Sequence, residues 1–189
     1  MTWLLCDYGE VLCHPQPDSS VATLARLCGM ESGDFEEAYW RHRPAYDRGD
    51  LTAEEYWTSL IGESPGERLP RLIEVDVEGW LRPNRPSLDG VARAAARGLK
   101  LAILSNAPLE VATAIDAQPW LAQFAPRIFS YDIRAVKPDP AAYAFALERL
   151  AAQPHEVIFV DDRPANVAAA REAGMRAEVF REPAQWDTL

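Results

Sequence analysis

The segment Trp3–Cys13, WLLCDYGEVLC, is the most informative part of the sequence for both the fold and a functional site. Its apolar residues lead to a single carboxylate, Asp7, and such a run predicts a strand that is buried on both faces and ends at the acid. Asp7 is therefore a candidate nucleophile, metal ligand or helix cap. Gly9, two residues later, has no side chain, so any second acid that joins Asp7 must come from elsewhere in the chain.

Four more apolar segments follow the first, and helical patterns separate them. The predicted strands lie at 100–105 (KLAILS), 127–133 (RIFSYDI), 156–160 (EVIFV) and 175–180 (MRAEVF). Asp139-Pro140 and Pro164 are typical of helix starts, and Gly98 and Gly174 are typical of helix ends. Because strands and helices alternate, the sequence predicts an α/β fold with a doubly wound parallel sheet and right-handed crossovers.

One segment interrupts this alternation, since the pattern from Asp18 to Leu81 is helical only. Thr52 and Glu55 match a capping box for its third helix. Proline-rich connectors flank the segment at 14–17 (HPQP) and 82–86 (RPNRP), where stiff backbone suits a hinge. We therefore predict an α/β core of residues 1–13 and 86–189, with a helical cap of residues 14–85 inserted after the first strand.

The composition and net charge of the chain indicate which class of ligand or partner it binds. The 189 residues are 48% hydrophobic, which is enough for a sizeable core, and 29 acidic against 19 basic residues give a net charge of −10. This charge argues against nucleic acid or an anionic membrane as the partner and favours a small molecule. Without a membrane-spanning or signal-peptide pattern, and with three cysteines that lack metal-ligand spacing, we expect a cytoplasmic protein. Nothing in the sequence predicts an oligomeric state.

Polar groups stand at the ends of four predicted strands, and in an open α/β sheet ligands bind beyond those ends. The groups are Asp7, Ser105 with Asn106, Lys137, and Asp161 with Asp162. Taken singly, each has an ordinary explanation as a helix cap, a turn residue or a solvated charge. Taken together, they supply a nucleophile, donors for anionic oxygens, a cation and an acidic pair, which is what phosphoryl transfer requires.

The four segments resemble, in order and spacing, motifs I to IV of the haloacid dehalogenase-like (HAD) hydrolase superfamily, over nearly the whole chain. The position of the helical segment is similar to that of a C1-type cap, and Tyr46–Trp57 is similar to cap segments of HAD phosphatases. The resemblance implies a Rossmann-like core and a catalytic Asp7 that forms an aspartyl-phosphate. It also implies Mg²⁺ as the cofactor.

The same resemblance assigns roles to the other motif residues. Ser105 and Lys137 would bind phosphoryl oxygens, and Asn106 would line the substrate pocket. Mg²⁺ would be held by Asp7, Asp162 and the backbone carbonyl of Gly9. Asp161 would lie beside the metal or act through water, and Asn166 would support both acids.

The chain departs from the family's usual D-x-D pattern at Gly9. The second Asp of that pattern protonates the leaving group and then activates water, and such a group contributes ~10²–10⁴-fold to the rate. Some family phosphatases that resemble this chain have D-x-G-x-V instead. We expect either a substrate whose leaving group needs little help, such as an anomeric sugar, acyl or aryl phosphate, or a substitute acid/base. Glu10 is one candidate for that substitute, although a solvated charge in a turn is its ordinary interpretation.

Three functions remain open at this point. The first, which we favour, is a Mg²⁺-dependent phosphatase for a small phosphorylated metabolite. The second is a non-catalytic phosphate-binding or regulatory protein. The third is a metal-independent haloacid dehalogenase, in which water attacks an ester on Asp7; family dehalogenases tend to have Tyr at the Gly9 position, whereas Tyr8 is one residue early.

The helical segment also carries candidate substrate contacts, for which core packing is the alternative. They are Arg43, Tyr46, Arg48 and Trp57.

Overall fold

The computed structural model describes residues 2–189 and contains a five-stranded parallel sheet. Its strands are β1 (Trp3–Cys6), β2 (Lys100–Ser105), β3 (Arg127–Phe129), β4 (Val157–Asp161) and β5 (Arg176–Val179). They are hydrogen-bonded in the order β3-β2-β1-β4-β5. This is the doubly wound α/β fold that the alternation of strands and helices predicts.

The strand order places a switch point at β1. From β1 the chain moves outward to β2 and β3, and it then returns to the other side of β1 to form β4 and β5. Cys6 near the end of β1 lies opposite Ile103 of β2 and Val160 of β4. Because ligands of such sheets bind where the strand order reverses, the carboxyl ends of β1 and β4 mark the expected site.

Four helices fill the interval between β1 and the next core element: α1 (Asp18–Cys28), α2 (Ser32–Asp47), α3 (Ala53–Ile61) and α4 (Leu69–Trp80). We call residues 18–80 the helical block. Its buried side chains, among them Phe35, Tyr39 and Trp57, form a hydrophobic cluster of their own. The capping box predicted for α3 is present, since Thr52 accepts from the Glu55 amide and Glu55 accepts from the Thr52 amide.

Five helices cover the sheet: α5 (Arg85–Ala96), α6 (Leu109–Asp116), α7 (Ser130–Ile133), α8 (Pro140–Leu150) and α9 (Pro164–Glu172). Alternate strand residues point to opposite faces. Leu4 therefore packs in the cluster that contains Val91 of α5, and Leu5 packs in the cluster that contains Tyr143 of α8. Both faces of β1 are buried, which explains its continuous apolar sequence.

The predicted third strand is too long. Only Arg127–Phe129 pairs in the sheet, and Ser130–Ile133 forms α7. The last pair in this ladder joins Phe129 to Ser105, so residue 130 has no strand partner on β2. Ser130 is instead fixed by side-chain hydrogen bonds, accepting from the Ala107 amide and donating to the Asp47 carbonyl. These contacts across the fold override the local strand pattern.

The two connectors of the helical block run antiparallel beside each other. Cys13 and Pro83 form a bridge pair, the His14 amide donates to the Arg82 carbonyl (2.8 Å), and the Asn84 amide donates to the Leu12 carbonyl (3.0 Å). The block is thus attached to the core through a short two-stranded ribbon.

Within the part of the chain that the structure describes, no helix has the length and apolarity needed to cross a membrane.

The carboxyl-terminal turn, Pro183–Asp187, packs on α5 at a glycine. Trp186 is fully buried and donates from its indole nitrogen to the Ser87 hydroxyl (2.9 Å). A Cβ atom at Gly90 would lie 2.5 Å from Cδ1 of Trp186, which is closer than real Cβ atoms approach. Gly90 is therefore required for the turn to dock.

We expect Gly90→Ala to lower the free energy of unfolding by ~1–3 kcal/mol, the usual cost of overpacking a core. Gly33→Ala is a matched control, because Gly33 is also helical but a Cβ there has open space. The control should be unchanged or slightly more stable, since alanine favours helices. Urea denaturation of both variants measures the difference, and equal stabilities would show that Trp186 does not pack against α5.

Candidate active site

Asp7 lies at the carboxyl edge of the sheet, directly after β1. Its amide donates to the Val160 carbonyl of β4 (2.8 Å), which holds it at the switch point. Its Oδ1 accepts from the Tyr8 amide (2.6 Å) and lies 2.8 Å from Nζ of Lys137. No donor among residues 2–189 contacts Oδ2. One carboxylate oxygen is thus anchored, while the other remains available to a ligand.

Lys137 joins Asp7 to a second carboxylate. Its buried ammonium lies 2.8 Å from Asp7 and 2.7 Å from Asp161. Burial by itself lowers the pKa of Lys137, but the charges of Asp161 and Asp7 outweigh burial and raise it above its usual value. Lys137 is therefore a firmly protonated bridge between two acids.

Asn106 positions the backbone of Lys137. Its Oδ1 accepts from the Lys137 amide (2.8 Å), and its Nδ2 donates to the Lys137 carbonyl (2.9 Å). Asn106 lines the pocket as predicted from the resemblance, but its amide group is engaged in this reciprocal pair. Ser105, at the end of β2, is buried and also lines the pocket.

Two further acids lie at the end of β4. Asp161 is completely buried and accepts from the Lys137 ammonium, the Arg163 amide (2.8 Å) and the Asn166 side chain (3.0 Å). Asp162 is only partly buried and lines the pocket. Ligand oxygens of Asp7, Asp161 and Asp162 all lie within 4.8 Å of one another. Asn166, in the first turn of α9, thus holds Asp161 in place beside Lys137.

The electrostatics of this cluster favour a cation. Burial raises the pKa of Asp7 to about 7 against the opposing effect of Lys137, and Asp161 adds to the rise. Burial and the charge of Asp161 raise the pKa of Asp162 to about 6. With three carboxylates around one ammonium, the ionised cluster carries excess negative charge. Carboxylate oxygens are the protein ligands that Mg²⁺ prefers, so the donor set fits this metal.

A cavity of about 660 Å³ extends from the acidic cluster to the helical block. From the core it is lined by residues that include Asp7, Asp162, Lys137, Ser105, Asn106, Gly9 and Glu10. From the helical block it is lined by Trp40, Arg43, Pro44, Asp47 and Trp80. The helical block therefore lies over the carboxyl edge of the sheet and forms the roof of the pocket.

The roof differs from what the sequence suggested. Of the four candidates in the helical block, Arg43 lines the cavity. Tyr46 donates to Glu110 of α6 (2.7 Å), Arg48 pairs with Asp50 on the surface, and Trp57 is buried in the core of the helical block. The sequence missed Trp40 and Trp80, because an aromatic residue in a helix that faces a ligand carries the same local pattern as one that faces a core.

Gly9 has ordinary backbone angles, and the left-handed conformation belongs to its neighbour Glu10, with a φ of 57°. A Cβ atom at Gly9 would lie 3.7 Å from Cζ3 of Trp80, which is normal van der Waals contact. Trp80 is held in place by the Tyr8 hydroxyl, which donates to its carbonyl (2.6 Å). The side of the pocket above Gly9 is thus occupied by an indole, and the exposed Glu10 side chain stands at its rim.

Comparison with known proteins gives a consistent family match. A model of the haloacid dehalogenase-like hydrolases matches residues 11–174. The chain is 34% identical over 109 residues to bifunctional epoxide hydrolase 2 of Rattus norvegicus, covering 53% of this chain but only 19% of that protein. It is 28% identical over 165 residues to a phosphorylated carbohydrates phosphatase of Thermotoga maritima, covering 75% of this chain and 74% of that protein.

Solved structures share the fold over nearly the whole chain. A HAD family enzyme of Bacteroides thetaiotaomicron, in complex with magnesium and inorganic phosphate, superposes with a TM-score of 0.75 at 17% identity, covering 96% of this chain and 94% of that one. A dehalogenase superposes with a TM-score of 0.78 at 20% identity, covering 100% of this chain and 97% of that one. At these identities the likeness establishes the architecture alone.

Proposed function

The chain belongs to the haloacid dehalogenase-like hydrolases, and we propose that it is a Mg²⁺-dependent phosphatase of a small phosphorylated metabolite. The observation that carries this proposal is the meeting of Asp7, Asp162 and Lys137 in one cavity at the switch point of the sheet, with the buried Asp161 directly behind them. The likeness to the Thermotoga maritima phosphatase supports the same reaction class.

Asp7 is the proposed nucleophile. Its carboxylate oxygen attacks phosphorus, the bond from phosphorus to the leaving oxygen breaks, and an aspartyl-phosphate forms. Water then attacks that phosphorus, which releases inorganic phosphate and restores the carboxylate. Lys137 favours the ionised form of Asp7 against the effect of burial and, with the Ser105 hydroxyl, binds phosphoryl oxygens. The anchoring of Oδ1 by the Tyr8 amide and Lys137 supports this role, because it fixes the orientation of Oδ2.

The metal-binding group consists of Asp7, Asp162 and the backbone carbonyl of Gly9. Asp161 is a supporting residue, because Lys137, the Arg163 amide and Asn166 already engage its oxygens. Bound Mg²⁺ supplies positive charge that neutralises the phosphate and stabilises the transition state. Three close carboxylates also favour the metal-dependent reaction over the metal-independent dehalogenase, because carboxylate oxygens are the ligands that Mg²⁺ prefers.

The helical block acts as a cap. Its placement over the carboxyl edge supports this role, since a roof of Trp40, Pro44 and Trp80 excludes water from the reacting phosphate. Opening about the connectors at 14–17 and 82–86 would admit the substrate. With Gly9 in place of an acid, the expected substrates are those whose leaving oxygen departs without proton assistance.

The direct test is hydrolysis of para-nitrophenyl phosphate with and without metal. We expect activity with Mg²⁺, its loss on addition of a chelator and its return with excess Mg²⁺. Activity that a chelator leaves unchanged would contradict the proposal. Phosphate binding by calorimetry without turnover of any phosphate ester would favour the regulatory protein, and release of chloride from 2-chloropropionate would favour the dehalogenase.

A further inference from the structure

We propose that Arg163 binds a second anionic group of the substrate, a carboxylate or a second phosphate, at the cavity wall between the acidic cluster and the helical block. The inference rests on the proposed phosphatase function for the identity of the first anion. It narrows the substrate class to phosphate monoesters that carry another negative charge.

Three cationic side chains line the cavity, and two of them are neutralised by protein carboxylates. Lys137 lies between Asp7 and Asp161. Arg43 is buried, with Nε 2.7 Å from Asp47 and Nη1 3.1 Å from Asp76. Arg43 is thus committed to protein carboxylates, and the remaining donor of Lys137 is taken by the phosphoryl group in the proposed function, so neither is available to a second anion.

Arg163 differs from both. Its side chain is exposed to the cavity, and its guanidinium makes no ion pair or hydrogen bond with any residue between 2 and 189. The contact that it does make is with the ring of Trp40, whose centroid lies 5.3 Å from the guanidinium carbon. An arginine that rests on an aromatic face keeps the donors at the edge of its plane free. Arg163 therefore presents a two-pronged donor edge to which no protein group is hydrogen-bonded, and its charge only partly offsets the burial that raises the pKa values of Asp47 and Asp162.

Two contacts fix the position of the Arg163 guanidinium, one at the backbone and one at the end of the side chain. The Arg163 amide donates to Oδ1 of Asp161 (2.8 Å), so the base of the side chain is tied to the acidic cluster, while its end rests on the helical block. The cavity, at about 660 Å³, has the size of a small-molecule site and is much larger than a phosphate alone requires. A substrate with its phosphate at Asp7 has room to extend toward Arg163.

The acidic residues of the cavity wall make Arg163 decisive for the binding of a second anionic group. Asp47, Glu10 and Asp162 also line the cavity, and they would repel a second anion in the absence of a cation. A bidentate pair between guanidinium and carboxylate or phosphate compensates that repulsion and fixes orientation. Phosphate monoesters without a second anionic group gain no such contact.

The test uses phosphonates, which bind but are not hydrolysed. Calorimetry with Mg²⁺ compares para-carboxybenzyl phosphonate, the para-xylylene bisphosphonate and para-carbamoylbenzyl phosphonate. By their second group, the first two are the charged probes and the third is the neutral probe. A charge-assisted pair at an exposed site predicts roughly 10-fold tighter binding of a charged probe than of the neutral one. Whichever charged probe gains more affinity over the neutral probe identifies the anion that the site binds, a carboxylate or a second phosphate.

Variants separate this role from a structural one. Arg163→Gln should remove the preference, Arg163→Lys should retain part of it, and Arg149→Gln, which changes the same charge on the exposed face of α8, should leave it intact. Equal binding of charged and neutral probes by the wild type would overturn the inference. So would an equal loss for all probes in Arg163→Gln, which would mean that Arg163 only holds the helical block closed. Hydrolysis of para-nitrophenyl phosphate, measured in parallel, reports on the phosphatase proposal independently of these binding ratios.

Discussion

Asp7→Asn should abolish the hydrolysis of para-nitrophenyl phosphate, with a fall in kcat of roughly 10⁴-fold or more, as for the loss of other covalent nucleophiles. The amide of asparagine does not attack phosphorus, and it removes one anionic ligand of the proposed metal. The comparison is made by measuring kcat at saturating Mg²⁺ and substrate. No trapped phosphoenzyme should form in the variant.

The loss must be separated from unfolding. Asp7→Asn keeps the size of the side chain and removes one of the carboxylates that repel one another in the acidic cluster. In Mg²⁺-free buffer at neutral pH, its thermal stability should therefore equal or exceed that of the wild type. Asp116→Asn, an exposed acid paired with Arg127, is the charge-matched control and should keep full activity. Appreciable turnover by Asp7→Asn would place the nucleophile elsewhere.

Gly9→Asp should raise the turnover of simple alkyl phosphates by up to ~10²–10⁴-fold, while aryl phosphates change little. The wild type lacks an acid at this position, so its rate should depend steeply on the pKa of the leaving group. The side chain is feasible, because Gly9 has no left-handed backbone and its Cβ would make only normal contact with Trp80. The slope of log kcat against leaving-group pKa, measured for a series of phosphates, should become flatter in the variant.

Gly9→Asn controls for size without acidity and should leave the slope unchanged. Because Trp80 faces the new side chain, Gly9→Asp with Trp80→Phe tests whether the indole limits the orientation of the acid. If the wild type already cleaves alkyl and aryl phosphates at similar rates and Glu10→Gln abolishes only the alkyl activity, Glu10 is the acid/base. The loss of function inferred at Gly9 would then be wrong.

The core was predictable because its signals are local. An apolar run that ends in a polar residue, as in β1 and β2, can be seen within a few positions, and so can a proline or aspartate that opens a helix, as for α8 and α9. The end of β3 was not predictable in this way. It is determined by the extent of β2 and by hydrogen bonds from Ser130 to residues 23 and 83 positions away.

The same distinction applies to the site. Asp7, Ser105 and Asp162 stand at strand ends, so sheet topology alone predicts that they lie near one another. Lys137 lies in the loop between α7 and α8, and the structure brings it to the same cavity. The roof of the pocket depends on how the helical block docks. Only the docked structure shows that Trp40 meets Arg163 and that Trp80 faces Gly9.

The paired connectors impose a mechanical restriction on how the pocket works. The two connector segments are hydrogen-bonded to each other, from Asn84 to Leu12 and from His14 to Arg82. They can therefore bend together but resist sliding and twisting past one another. We therefore expect the helical block to swing along a single arc, so that the same faces meet at every closure. Under the proposed function, the connection itself would then guide the return of the helical block, and a substrate would be accepted only if the block can complete this movement around it.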